Sequence, residues 1–182
     1  MVDPAEFRDG LVYLTWPAYL DANLLREMKA AGLPAEQQNQ LEYYVYRLSL
    51  SVYTKDTLAR VRYADSVLAL VPRGVRGNIL ESDLHSYLSL AYAAKGDARR
   101  SLEQGRLSMR KTPFTSDAMR AAVNLETIAR AEVLAGAYDE ALSDLAQLLA
   151  RPSLISVALL RVDPWFDPIR QDQRFQQLVA AR

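Results

Sequence analysis

Apolar side chains recur along this chain at intervals of three and four residues, the spacing that places them on one face of an α-helix. Leu20, Leu24 and Met28 show it first and predict an amino-terminal helical segment within residues 1–35. No segment sustains the alternation of apolar and polar residues that a half-buried β-strand would need between turn residues. The pattern therefore predicts an all-α fold.

The next predicted helix carries apolar residues on two faces. One face holds Tyr43, Tyr46, Leu50 and Tyr53, and the other holds Leu41, Tyr44, Leu48 and Val52. One of them must pack within its own pair of helices, because an amphipathic helix buries its apolar face. The other face either supports the amino-terminal helices or lines a binding groove, and the sequence leaves both open.

Two later segments repeat one spacing of apolar, small and glycine residues. The first segment contains Leu88, Ser89, Tyr92, Gly96, Ser101, Gly105, Ser108 and Pro113. The second contains Leu125, Ile128, Ala129, Glu132, Gly136, Ala141, Leu145, Leu148 and Pro152. A weaker copy upstream, which contains Tyr43, Tyr46, Leu50, Ala59, Tyr63, Ser66 and Pro72, lacks the glycine. Each copy predicts two helices joined by a turn.

Small residues recur where paired helices would cross. Two antiparallel helices approach to about 8–10 Å only if the side chains at the crossing permit it. The sequence offers Ser89 and Ser101 for one pair, and Ala129 and Ala141 for the next. Larger residues there would overpack the pair at a cost of about 1–3 kcal/mol each.

This spacing resembles the tetratricopeptide repeat, in which one helix carries a Leu-small-x-x-Tyr pattern, a turn carries glycine, and a second helix precedes proline. His85 stands where that pattern usually has Trp, and Glu132 stands where it prefers Tyr. The resemblance implies antiparallel helical hairpins stacked as a right-handed α-solenoid with a carboxyl-terminal capping helix. We expect a longer connection between the two clear repeats at residues 112–119.

The carboxyl-terminal half carries a more specific motif. It reads Leu148-Leu149-Ala150-Arg151-Pro152-Ser153, then Leu160-Arg161-Val162-Asp163-Pro164-Trp165-Phe166-Asp167-Pro168-Ile169-Arg170, then Arg174-Phe175. It is similar to the carboxyl-terminal repeat regions of bacterial multidomain signalling proteins, namely receptor-like serine/threonine kinases and winged-helix transcriptional regulators. No kinase or winged-helix motif is present here, so the resemblance implies only an interaction module, standing alone or belonging to a larger protein.

Together these patterns predict a single helical domain over residues 1–182. Its parts are an amino-terminal helical segment at 1–35, a degenerate repeat at 40–72, repeats at 82–113 and 122–152, and a cap at 153–182. An exposed repeat end needs a cap to cover its apolar face. Trp165, Phe166, Phe175 and Leu178 are the expected apolar contacts of that cap.

The composition of the chain limits the classes of partner that we expect it to bind. The chain holds 22 basic and 22 acidic residues, so its net charge of zero gives no reason to expect a membrane surface, and nucleic acid is an unfavoured partner. Cysteine is absent, which removes disulfides and thiolate metal sites. The first ten residues have no basic and then apolar stretch of the kind that an export signal requires. We expect a cytoplasmic protein without a membrane span.

Candidate catalytic chemistry is sparse. His85 is the one histidine, and we interpret it as filling the aromatic core position of its repeat rather than as a general base. Asp163 and Asp167 each precede proline and are interpreted as turn and capping residues rather than cation ligands. No nucleophile–base pair, metal-ligand cluster or phosphate loop is recognisable. The sequence predicts no enzyme, no catalytic residue, no metal and no cofactor.

The leading functional expectation is a scaffold that binds a peptide or helix of a partner protein in its concave groove. The repeat resemblance implies that the first helix of each hairpin lines this groove. The expected groove residues are Tyr44, Leu48, Asp83, Ser86, Leu90, Glu126 and Arg130.

Two alternatives stay open. Arg99, Arg106 and Arg110 fall on one helical face and could bind nucleic acid or another anionic ligand, although interleaved acids favour a solvated surface. The aromatic residues Trp16, Tyr19, Tyr43 and Tyr44 could instead mediate self-association into a homo-oligomer.

Overall fold

The computed structural model describes residues 37–71 and 79–180, with side chains from Gln40 onward. Every regular element in these ranges is helical and none is a strand, which confirms the all-α prediction. The chain falls into two compact units that divide between residues 78 and 79. The predicted helical segment at 1–35 lies outside the described residues, and the single domain stays a prediction.

The first unit contains one described helical hairpin. Helix α1 spans Gln37–Tyr53 and helix α2 spans Thr57–Leu70, and the two pack against each other. Asp56 begins α2, since its carboxylate accepts a hydrogen bond from the Ala59 N–H at 2.9 Å. The residues that have little or no exposed surface here include Leu41, Val45, Leu48, Ala64 and Val67.

The second unit contains two hairpins and a cap. Its helices are α3 at Glu81–Ala94, α4 at Ala98–Lys111, α5 at Ala118–Ala135, α6 at Tyr138–Leu149, α7 at Val157–Val162 and α8 at Gln173–Ala180, with a 3-10 helix at Pro164–Ile169. Helices α3 and α4 pack together, α5 packs against both, and α6 packs against α5. No helix in the described ranges has the length and apolar character that crossing a bilayer would require.

One type of turn closes all three hairpins of the described residues. In each, an N–H group beyond the first helix bonds a carbonyl five residues back, as in the Schellman motif. The bonds are Asp56 N–H to Ser51 O at 2.9 Å, Asp97 N–H to Tyr92 O at 3.0 Å, and Ala137 N–H to Glu132 O at 2.9 Å. The residue before each donor has a positive φ: 53° at Lys55, 78° at Gly96 and 77° at Gly136. Lys55 thus takes the backbone conformation that glycine takes in the other two turns.

Replacing Lys55 by glycine should stabilise the protein by about 0.5–1 kcal/mol. A residue with a Cβ atom is strained in the left-handed region by roughly 1–2 kcal/mol, and glycine relieves that strain at some cost in unfolded-state entropy. The matched change, Gly96→Ala, should destabilise the chain because it introduces the same strain. Urea unfolding followed by circular dichroism measures both, and a destabilising Lys55→Gly would contradict the expectation.

Small residues let the helices of the second unit approach closely. Ser89 and Ser101 are fully buried, with their hydroxyl oxygens 3.4 Å apart across α3 and α4. A Cβ atom at Gly105 would lie 3.0 Å from a side-chain carbon of Ile128, so α4 also lies close to α5. Ala129 and Ala141 have no exposed surface either. The predicted role of small residues at these crossings is confirmed for the Ser89–Ser101 contact.

The cap carries the aromatic residues that the sequence assigned to it. Trp165, Phe166 and Phe175 are almost fully buried, and the rings of Phe166 and Phe175 stack with centroids 6.3 Å apart. The 3-10 helix packs against α5, while α8 contacts α6 and α7. Leu178 is only half-buried. The prediction that the three aromatic residues are buried apolar contacts of the cap is therefore confirmed. Part of the Leu178 side chain stays exposed to solvent.

Candidate functional site

Two adjoining clefts border helix α6 in the second unit. The first, the apolar groove, lies between α6, α7 and α8 and has a volume of about 620 Å³. The second, the acidic cleft, lies between α4, α5 and α6 and has a volume of about 630 Å³. Both are lined by Asp139 and Ser143, so the two spaces meet at the first turns of α6.

Helix α6 separates the clefts because its side chains point in three directions. Ala141, Leu145 and Leu148 recur at intervals of four and three and fill the core. A second face lines the apolar groove with Leu142, Ala146 and Leu149. A third face lines the acidic cleft with Glu140, Asp144 and Gln147.

The apolar groove has hydrophobic walls and a charged end. Val157 of α7 and Leu178 of α8 complete its lining opposite α6. At one end Arg174 of α8 pairs with Asp139 of α6, at 2.6 Å between nitrogen and oxygen. Both side chains of this pair are more than half exposed, so it contributes little to stability. The pair lies where the apolar groove meets the acidic cleft, since Asp139 lines both spaces.

Glu132 lies at the base of the acidic cleft. Only 6% of its surface is exposed, and its Oε2 atom has no hydrogen-bond partner in the described part of the chain. Asp144 of α6 lies beside it, and Glu140 is near both. A buried carboxylate without a donor is costly, because desolvation opposes its charge.

The carboxyls of Glu132 and Asp144 both bind protons more tightly than usual. Burial raises the pKa of Glu132, and the neighbouring Asp144 and Glu140 raise it further. Burial also raises the pKa of Asp144, with the charge of Glu140 adding to the effect. Two adjacent carboxyls can hydrogen-bond to each other only if one of them is protonated. We infer that the pair shares a proton near neutral pH.

Helix α4 supplies cations to the opposite wall of this cleft. Arg106 and Arg110 line it, together with the apolar Met109. Arg106 weakly lowers the pKa of Glu132 through its charge, but it forms no ion pair within the described residues. The cleft thus has acids on α5 and α6, bases on the exposed surface of α4, and apolar side chains between them.

Acidic residues lie close to the predicted basic face of α4. Arg99 lies 3.8 Å from Glu103, and Arg106 and Arg110 border the acidic cleft. Neighbouring Arg100 pairs with Asp97 at 3.4 Å. Such interleaving favours the solvated surface that the sequence suggested over an anion-binding face. Nucleic-acid binding stays an alternative prediction.

Two predicted groove residues of the second unit belong to a polar network between α3 and α5. Asp83 pairs with Arg120 and accepts a hydrogen bond from the Asn124 amide at 3.1 Å. The hydroxyl of Ser86 donates to the Asp83 carbonyl at 2.8 Å and lies 3.2 Å from the Asn124 side-chain oxygen. The Asp83 side chain is only 14% exposed, and Ser86 is fully buried. These contacts hold α3 and α5 together.

Two further predicted groove residues join the cap to α5. Arg130 lies 2.9 Å from Glu126 and 3.1 Å from Asp163, and all three side chains are at least nine-tenths buried. The Arg130 guanidinium also lies 5.9 Å from the centre of the Trp165 ring. Asp163 begins the 3-10 helix, since it accepts a hydrogen bond from the Trp165 N–H at 3.0 Å. The capping role predicted for Asp163 is therefore confirmed.

The remaining predicted groove residues are mostly buried. Leu90 and Leu48 have 2% and 0% of their surface exposed, whereas Tyr44 is half-buried against Tyr43, with ring centroids 5.4 Å apart. A groove residue must offer its side chain to a partner. Of the predicted seven, only Tyr44 and Asp83 are not fully buried, and Asp83 exposes little of its side chain. A binding role for the set stays a prediction.

His85 packs between α3 and α4. Its Nδ1 atom lies 2.6 Å from the side-chain oxygen of Gln104, and its Nε2 atom lies 3.8 Å from Glu81. The side chain is 17% exposed, in keeping with its expected place in the hairpin core. Among the described residues, no three His, Asp or Glu side chains are placed to hold a metal ion.

Sequence reasoning missed both clefts. It noted Glu132 only as a departure from the tyrosine that the repeat prefers, and it assigned Leu178 to the cap. That departure was nevertheless the available signal, because an acid at a buried position calls for a partner. Comparison with known protein families, with curated proteins and with solved structures finds no match in any of the three.

Proposed function

We propose that this chain is a protein-interaction module that holds a segment of a partner protein in the apolar groove. The observation that carries the proposal is the groove itself: about 620 Å³ of space walled by Leu142, Leu149, Val157 and Leu178. Grooves of this kind accept apolar anchor residues from an extended or helical peptide. The partner segment is therefore expected to present two or more large apolar side chains.

The architecture proposed for the module is a right-handed, tetratricopeptide-like stack of hairpins. Three hairpins share one turn geometry, and α5 packs against both helices of the hairpin before it. These contacts support stacking, and the resemblance of the carboxyl-terminal motif supports a place in a larger bacterial signalling or regulatory protein. The proposed activity is binding, and catalysis by the pure chain would contradict it.

The apolar groove is preferred over the concave surface that the resemblance implied. Five of the seven predicted groove residues are buried and engaged within their own unit. By contrast, Ala146 is exposed on the groove wall, with Leu149 and Leu178 half-buried beside it. Apolar surface that is both concave and accessible gains most from contact with a partner.

Replacing Ala146 by arginine should weaken peptide binding at least tenfold without unfolding the protein. The new side chain would fill the groove from an exposed helix position, where arginine is a good helix former. Peptides selected from a random display library on the full chain supply ligands, and fluorescence anisotropy measures their dissociation constants.

The matched control is Ala69→Arg, which adds the same side chain at an exposed position of α2. It should leave binding unchanged. If no peptide is enriched on the wild-type chain, or if Ala146→Arg binds as tightly as the control, the groove is not the binding site and the proposed function fails.

A further inference from the structure

The acidic cleft contains a buried carboxyl oxygen to which no N–H or cationic group of the described residues donates. Glu132 is more than nine-tenths buried, and its Oε2 atom lacks a hydrogen-bond donor. Glu132 is one of the residues that line the cleft. Nearly all buried polar atoms in proteins have a partner, so an exception that faces an open cleft indicates a group supplied from outside.

The charge around this acceptor favours a cation. Glu132, Asp139, Glu140 and Asp144 line the cleft from α5 and α6. Asp139 is paired with Arg174 at the wall, which leaves three acids that no cation of the described residues pairs with. The exposed residues Arg106 and Arg110 of α4 line the same cleft, but Arg106 forms no ion pair with these acids. A guanidinium or ammonium group inside the cleft would complete the site.

The remaining lining identifies the kind of cation. Met109, Leu125 and Ile128 border the same space, so the cleft that contains Glu132 has apolar as well as charged walls. Arginine and lysine combine an apolar stem with a charged end, and they commonly pack the stem on apolar surface while the charge meets acceptors. A small hydrated ion would leave those walls uncovered.

We propose that the acidic cleft binds an arginine or lysine side chain of the same partner segment whose apolar residues enter the apolar groove. The inference rests on the proposed function and adds a specificity determinant to it. Asp139 and Ser143 line both spaces, so a single segment crossing α6 at this point reaches each of them. Glu132 and Asp144 are the acceptors for the N–H groups of this cation.

Citrulline provides the sharpest test, because it keeps the shape of arginine and removes its charge. Peptides enriched on the full chain are resynthesised with a fluorescent label, once as selected and once with each arginine replaced by citrulline. Where lysine is enriched, norleucine replaces it. Each peptide is titrated by anisotropy against wild-type protein, Glu132→Gln, Asp144→Asn and Glu103→Gln. The last is the matched control, since Glu103 is an exposed acid of α4 that does not line either cleft.

We expect the enriched peptides to contain a basic residue, and its neutral replacement to weaken binding to wild-type protein at least tenfold. On Glu132→Gln the charged and neutral peptides should bind within twofold of each other, whereas Glu103→Gln should behave as wild type. Equal binding of the two peptides to wild-type protein overturns the inference. If Ala146→Arg still abolishes binding in that case, the proposed function of the apolar groove stands without the basic contact. If no peptide is enriched at all, the proposed function and the basic contact are both overturned.

Discussion

Replacing Arg130 by methionine should lower the free energy of unfolding by about 3–5 kcal/mol, the usual cost of removing one member of a buried ion pair. Arg130 is the cation between Glu126 and Asp163, at 2.9 and 3.1 Å. Without it, two carboxylates that are at least nine-tenths buried would lose the cation that lies between them. Urea unfolding followed by circular dichroism measures the loss.

A triple variant provides the control for this prediction. Arg130→Met combined with Glu126→Gln and Asp163→Asn removes all three charges and keeps an oxygen at position 163 for the Trp165 N–H. It should recover most of the lost stability, because most of the cost of the single change comes from leaving buried charges uncompensated, and the triple variant has none of the three. If Arg130→Met alone is as stable as wild type, the contacts of Arg130 do not stabilise the fold. The partner contact that the sequence predicted for Arg130 would then be the better interpretation.

Replacing Glu132 by glutamine should stabilise the protein at alkaline pH and flatten the dependence of its stability on pH. Burial, together with Asp144 and Glu140, raises the pKa of Glu132 to about 9 from its ordinary 4.5. The folded state therefore keeps a proton that the unfolded state loses, so stability falls as pH rises from about 4.5 to about 9. Asp144, whose pKa burial raises to about 6, acts in the same direction over the lower part of that window.

The expected size is about 2–4 kcal/mol at pH 9, at about 1.4 kcal/mol for each tenfold change in proton affinity. Unfolding by urea at pH 5, 7 and 9 measures it for wild type and Glu132→Gln. The exposed acid Glu103 supplies the control, since Glu103→Gln should keep the wild-type slope. If the stability of the wild-type protein instead rises from pH 5 to pH 9, the folded state does not retain a proton on Glu132 and Asp144.

The hairpins were predictable because local chemistry determines them. Gly96 and Gly136 mark left-handed turn positions, and Ser89 and Ser101 mark a close crossing, so the residue types alone indicate both. The turn at Lys55 was harder to predict, because lysine carries no signal for a positive φ. It adopts one here because the same bonded turn joins α1 and α2.

The site was less predictable because it depends on which side chains packing brings together. Nothing in the spacing of Glu132 and Asp144 shows that their carboxyls meet, since they lie on different helices and meet only when α6 folds back on α5. Likewise, Glu126 and Arg130 follow the position rule for a groove, yet Asp163 of the cap engages Arg130 inside the unit. A position in a repeat predicts a helix face but not its local burial.

The link between Asp163 and Arg130 also bears on how the chain folds during synthesis. Protein domains emerge from the ribosome amino-terminal end first, so α5 leaves before the segment that holds Asp163. Until that segment follows, Arg130 has only Glu126 of this trio as a neighbour, and the 3-10 helix that covers α5 has not formed. We expect protease to cleave α5 more readily in nascent chains that stop before Asp163 than in chains that extend past the 3-10 helix.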